Sequence, residues 1–186
     1  PDDSRVLHPP PRATDDIKDK DGNVAYKMLG KMFSFKDRQY LADAKGKKIA
    51  MLMRKLLTWY PTFLIYTYEP NFKGQEPVDK DGEAPVYRFG MIKSVMFSLP
   101  PKWEYYLYTT NNDEPELVGT IAAVCSLYMK ATMIDTMGTA MFKADQTSFF
   151  STEGGLAEPY SIEVAEGMDP LQAISIAIAC QQLAED

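Results

Sequence analysis

The chain has 186 residues, 45% of them hydrophobic and 12% aromatic, which is enough to bury a sizeable core within one domain. Its formal net charge of −6 excludes a general nucleic-acid binder. No apolar run reaches 18 residues, which excludes a transmembrane helix and leaves a soluble or peripheral protein.

Residues 1–16, PDDSRVLHPPPRATDD, hold four prolines and no apolar period, and are expected to form an extended tail outside the core. The sequence begins at Pro1 with no initiator methionine, as removal of an upstream targeting segment would leave it. From Asn23 onward short runs rich in Val, Ile, Tyr, Phe and Met alternate with turn signals, the pattern of an all-β chain. The runs NVAYKML, KMFSF, RQYLADA, KIAMLMRK and TFLIYTY come first, and a polar loop spans Glu69 to Pro85. VYRFGMI, WEYYLYTT, LVGTIAAVCSLY, KATMID, TAMFKA, TSFFS and YSIEV follow, making about twelve strands. Asp21-Gly22, Asp43 with Gly46, Asn111-Asn112 and Asp135 with Gly138 mark tight turns in which Gly or Asn supplies positive φ. YLADAKGKKIAMLMRK and TMIDTMGTAMFKAD echo one another, each reading strand, Asp-x-x-Gly turn, strand.

The chain closes on DPLQAISIAIACQQLAED. Asp169 is a good N-cap, Pro170 suits the first helical position and Gly167 turns the chain beforehand, which predicts a helix over 170–184. At 100° per residue Leu171, Ile174 and Ile178 take one side, while alanines and the remaining apolar residues fill the others. A helix apolar all round needs protein on every side. Many antiparallel strands plus such a helix predict a closed antiparallel β-barrel with the helix in its lumen, over residues 17–186.

GKMFSFKDRQYLADAKGKKIAMLMRKLLTW, Gly30 to Trp59, resembles the LURP-one-related family in its Gly-Lys start, aromatic-Ser step, Asp-Arg pair, Asp-x-x-Gly hairpin and basic strand end before Leu-Leu. YSIEVAEGMDPLQAISIAIACQQL, Tyr160 to Leu183, resembles that family's closing strand, Gly-x-Asp corner and terminal helix. The resemblance implies the tubby C-terminal-like fold, a twelve-stranded barrel around a central helix shared with tubby proteins and phospholipid scramblases. It also implies relatives that bind phosphoinositides or act on phospholipids. The tubby phosphoinositide-binding residues have no counterparts that can be placed on this sequence.

His8 is the only histidine and lies in the tail, which removes Ser-His-Asp, Cys-His and His-metal arrangements. Glu163 and Glu166 flank the last strand as ordinary solvated acids. DKDG occurs at Asp19–Gly22 and again at Asp79–Gly82, but neither copy has acids at the first and twelfth positions of a calcium loop. No phosphate-binding glycine loop is present, so no metal, cofactor or catalytic residue is assigned. Cys125 and Cys180 sit in apolar runs without metal-ligand spacing and read as reduced core thiols, which favours an intracellular setting, cytoplasmic or organellar.

Residues 17–60 carry eleven Lys/Arg against four Asp/Glu, whereas residues 61–186 carry seven against eighteen. Lys45, Lys47 and Lys48 at one hairpin, with Arg54 and Lys55 closing the next strand and Lys31, Lys36 and Arg38 near in sequence, form the candidate site for an anionic lipid headgroup or an acidic partner. Lysines on strand ends also guard sheets against wrong pairing, and that reading stands beside the first. Pro9, Pro10 and Pro11 of the tail, with Trp103, Tyr105 and Tyr106, are the candidate protein-docking residues. The expected function is a non-catalytic binding or structural module that docks onto a larger assembly, membrane-associated ones included. A peripheral reader of anionic lipids is the alternative, and a scramblase-like or enzymatic activity ranks third.

Overall fold

The computed structural model describes residues 5–7, 14–29, 38–55, 58–95, 97–98, 102–125, 129–146 and 160–184. The strands are β1 (Arg5–Leu7), β2 (Thr14–Lys18), β3 (Val24–Leu29), β4 (Arg38–Asp43), β5 (Lys48–Lys55), β6 (Thr62–Thr67) and β7 (Asp79–Asp81). They continue with β8 (Ala84–Val95), β9 (Lys102–Leu107), β10 (Glu116–Cys125), β11 (Met129–Asp135), β12 (Ala140–Gln146) and β13 (Tyr160–Val164), and the chain ends in helix α1 (Pro170–Ala184).

Short connections leave consecutive strands little choice but to pair antiparallel, and the sheet is a meander in the order β1-β13-β12-β11-β10-β9-β8-β6-β5-β4-β3-β2, with β7 pairing β8 off that path. The described residues are mainly β with one helix, as the residue pattern predicts. The two strands that end this order, β1 and β2, are consecutive in the chain, with only residues 8–13 between them.

One hairpin device recurs three times. Asp19, Asp43 and Asp135 each accept, on Oδ1, the backbone N–H groups two and four residues on, at 2.8–2.9 Å. Three residues after each aspartate a glycine takes positive φ: Gly22 at 83°, Gly46 at 87° and Gly138 at 88°. The sequence echo is therefore one local solution repeated, with a third copy at Asp19. Asn111-Asn112 departs from expectation, because neither residue has positive φ. The Asn111 side chain instead accepts from Glu76 N–H at 3.0 Å and donates to the Gly74 carbonyl at 2.9 Å, so its bonds serve the polar loop rather than a tight turn.

The core lies on one face of the sheet. Leu41, Leu52, Phe63, Ile92, Tyr105 and Ile121 join the helix residues Ala173, Ile174, Ile176, Ala177 and Ile178 in one buried cluster. Every residue of α1 from Ala173 to Ala179 is buried, so the helix is enclosed around its circumference, as its lack of a polar face requires. Each isoleucine so placed contributes roughly 1.5–3 kcal/mol. Asp169 caps the helix by accepting Leu171 N–H on Oδ1 at 2.8 Å, and Gly167 enters the corner at φ 87°.

Three expectations need correction. Within the stretch expected to be a tail, the described residues belong to the sheet: β1 pairs with β13 through Arg5–Val164 to Leu7–Ile162, and β2 crosses the expected boundary with Ile17 fully buried. Pairing with β13 and β3, not composition, decides this. The polar loop from Glu69 to Pro85 contains β7, too short and too charged to carry an apolar pattern. The described residues accordingly form thirteen strands, while KMFSF and TSFFS lie outside them.

Candidate functional site

The lysines of the β4–β5 hairpin are brought together as expected, but carboxylates meet most of them. Lys47 Nζ lies 2.7 Å from Glu69 Oε1, a hydrogen-bonded pair that lifts the lysine and lowers the glutamate from their ordinary values. Lys48 Nζ lies 2.9 Å from Asp81 Oδ2 and stands 3.7 Å above the Tyr40 ring. Arg38 reaches Asp81 Oδ1 at 3.2 Å, and Tyr40 and Tyr68 donate their hydroxyls to the same carboxylate at 3.2 and 2.7 Å. Asp81, with its side chain 13% exposed, is held down to about 2 by the Tyr68 bond first and the Lys48 bond second. Burial, then the bond to Asp81, pushes Tyr68 up.

Asp81 closes β7 over the outer face of the sheet, where Met51, Tyr66 and Val86 are buried against Tyr40, Met53, Leu64 and Tyr68. Lys48 and Arg38 thus work as a clasp on this second apolar cluster. Lys45 is exposed at the hairpin tip.

Arg54 and Lys55 do not join that group. They lie at the other end of β5, about 23 Å away at 3.3 Å per residue. There Lys55, Thr62, Lys93 and Glu104 pair in succession across β5, β6, β8 and β9 and share one face of the sheet, with Lys102 two residues before Glu104. Arg54 is on the opposite face and half-buried. Lys93 Nζ sits 5.1 Å from the Tyr60 ring. Glu104 accepts the Tyr106 hydroxyl at 2.6 Å, which pushes that phenol up to about 12.

Two loops extend beyond this lysine row. Residues 56–61 join β5 to β6 and carry Trp59, 93% exposed. Residues 96–101 join β8 to β9 and carry Phe97, 95% exposed. Ser94 N–H donates to the Pro61 carbonyl at 3.0 Å, which ties the first loop to the strand that leads into the second. Phe97 has φ 58°, the only positive φ among the described non-glycine residues, in a turn fixed by Ser98: its hydroxyl donates to the Val95 carbonyl at 3.1 Å and accepts Lys102 N–H at 2.9 Å. Sequence reasoning missed both aromatics. The signal was present in LLTWYP and MFSLPP, where Trp59 and Phe97 stand two and three residues before a proline in a segment too short to bury them.

Of the predicted docking aromatics, Trp103 and Tyr105 are buried at 3% and 0% exposure and are corrected to core residues; only Tyr106 reaches the surface, half-buried. The Tyr105 hydroxyl has no partner among the described residues, and burial raises the phenol well above its ordinary value. The Tyr105 ring lies against Gly90, where a Cβ would come within 3.1 Å of it. Pro9, Pro10 and Pro11 lie outside the described residues. A cleft of about 200 Å³ opens elsewhere, lined by Gln75, Tyr108 and Asn111 and by the ion pair of Arg88 with Asp113. Among the described residues no cluster of His, Cys, Asp and Glu has the makings of a metal site, and no helix is long and apolar enough to cross a membrane.

A family model described as LURP-one-related matches residues 14–181. No curated protein and no solved structure matches the chain.

Proposed function

We propose that this chain, which belongs to the LURP-one-related family, is a non-catalytic binding module: a barrel closed around its C-terminal helix that docks onto a larger assembly through the end bearing Trp59 and Phe97. Closure is supported by the connection between the two end strands. A flat order of twelve strands would hold β1 and β2 about 53 Å apart at ~4.8 Å per strand. Seven residue steps from Leu7 to Thr14 reach at most about 25 Å, so the sheet has to curl. The helix buried on all sides supports the same conclusion.

The observation that carries docking is the exposure of Trp59 and Phe97 on neighbouring loops. Single exposed aliphatics are common on protein surfaces, but two aromatic rings over 90% exposed at one end, one of them in a backbone conformation that costs energy, call for a surface to cover them. The non-catalytic reading draws on the strongly shifted groups. Asp81, Tyr68 and Tyr106 are bound to structural partners, and Tyr105 is sealed in the core.

Gradient sedimentation of the protein from its own cells tests the reading. The wild type is expected in particles far larger than the 21.0 kDa chain, and the Trp59→Ser/Phe97→Ser variant at the position of the free chain. Wild type and variant sedimenting together would refute docking through this end.

A further inference from the structure

We infer that the surface covered by Trp59 and Phe97 is an anionic lipid bilayer, with both rings entering the headgroup layer and Lys55, Lys93 and Lys102 meeting lipid phosphates. The inference rests on the docking reading and names its partner. Three features of this end favour a bilayer over a protein. Each ring stands on its own loop, clear of its neighbours, as its exposure shows. A fluid layer accepts such projections wherever they fall, whereas a protein partner needs a matching pocket for each. Indole and phenyl rings also favour the boundary between headgroups and acyl chains.

The cations described on this face are lysines, Arg54 lying on the opposite one. Lysine is depleted in the centres of protein–protein interfaces, where arginine is enriched; a compact ammonium on a long stem suits diffuse contact with mobile phosphates. Lys55 and Lys93 lie in one row two strands apart, about 10 Å, with Lys102 beside the next strand's start. Glu104 is the one acid in that row, and its carboxylate is engaged by Tyr106. The long lysine stems carry charge outward past the loop bases to the level of the phosphates.

This end differs in kind from the Lys45–Lys48 hairpin. There Lys47 and Lys48 already hold carboxylates, and the described residues of the hairpin include no exposed aromatic. An anion at that hairpin would have to displace Glu69 or Asp81.

The two tryptophans make the test specific, because Trp59 is exposed and Trp103 is buried. Purified protein is titrated with phosphatidylcholine vesicles, with and without about 30 mol % phosphatidylserine, over a salt series, and read by tryptophan emission and by co-sedimentation. Anionic vesicles are expected to shift the emission to shorter wavelength, less so as salt rises. Trp59→Phe is expected to lose the shift and keep co-sedimentation. Phe97→Ser is expected to weaken binding more than tenfold. Each of Lys55→Gln, Lys93→Gln and Lys102→Gln is expected to weaken it about fivefold. Trp59, Phe97, Lys55 and Lys102 are exposed and Lys93 is half-buried, and an unchanged circular dichroism spectrum certifies the fold of each variant.

Absence of binding to anionic vesicles overturns the inference, and so does binding lost through Lys45→Gln, Lys47→Gln and Lys48→Gln but kept in the Lys55, Lys93 and Lys102 variants. If vesicles fail while large particles still depend on Trp59 and Phe97, the bilayer is wrong and docking stands. If those particles are also insensitive to the two rings, the docking reading falls with it.

Discussion

Replacing Phe97 by glycine should stabilise the protein while removing a docking residue. Phe97 is 95% exposed, so deleting the ring forfeits almost no buried area. At φ 58° any side chain with a Cβ costs about 1–2 kcal/mol relative to the right-handed region, and glycine removes that cost. Glycine also loosens the unfolded chain, which returns about 0.4–1 kcal/mol of the gain. The net expectation is stabilisation by about 0.5–1 kcal/mol, or roughly 1–4 °C in Tm for a chain of this length. Phe97→Ala keeps the strained backbone and should stay within about 0.5 kcal/mol of wild type. Urea unfolding and calorimetry of the three proteins decide it. Phe97→Gly unfolding more easily than Phe97→Ala would refute the reasoning, since it would mean that the turn needs a Cβ or that the ring packs. If Phe97→Gly gains stability and loses vesicle binding together, the loss of binding cannot be ascribed to unfolding.

Asp81→Asn should lose about 1–2 kcal/mol, a figure discounted from the full pKa difference because Arg38 and Lys48 are about 40% exposed and screened by water. The sign follows from a folded carboxyl at about 2 against an ordinary 3.8: the stabilisation is complete above about pH 4 and is lost as pH falls toward 2, so wild type and Asp81→Asn should differ at pH 6 and converge in acid. An equal gap at pH 6 and pH 2.5 would contradict the clasp. Gly119→Ala, where a Cβ would fall on the Ile134 carbonyl oxygen of the neighbouring strand, should cost about 3 kcal/mol or more and lower Tm by roughly 6–12 °C in a thermal melt. Asp169→Ala removes the bond to Leu171 N–H and should cost about 1 kcal/mol in the same melt, with Asp169→Asn restoring most of it.

How legible each part was depended on whether its cause is local. The hairpins at Asp43 and Asp135 were readable because aspartate, two spacer residues and glycine determine the turn by themselves. The helix was readable because Asp169, Pro170 and an unbroken apolar circumference leave one conformation and one environment. β1 and β2 were not readable, since TDDIK has no alternating apolar pattern and pairs because β3 presents an edge to it. β7 is likewise made by its partner: DKD joins the sheet through β8 and through the bonds of Asp81 to residues 38, 40, 48 and 68.

The site illustrates the same division in charge. Eleven cations in residues 17–60 suggested a basic surface, and chain position alone could not reveal that Glu69 and Asp81, 22 and 33 residues further on, return to neutralise Lys47 and Lys48. The lysines that keep an open field, Lys55, Lys93 and Lys102, are scattered over 48 positions and never form a run. The register Lys55–Thr62–Lys93–Glu104, with Lys102 two residues before Glu104, assembles them. A sheet collects what is distant in sequence into rows, so in a meander of this kind a charged surface is better sought along the pairing register than along the chain. The two exposed rings add direction to that row: they mark which end of it faces outward, and no arrangement of charge alone would distinguish a lysine row that guards an edge from one that approaches a surface.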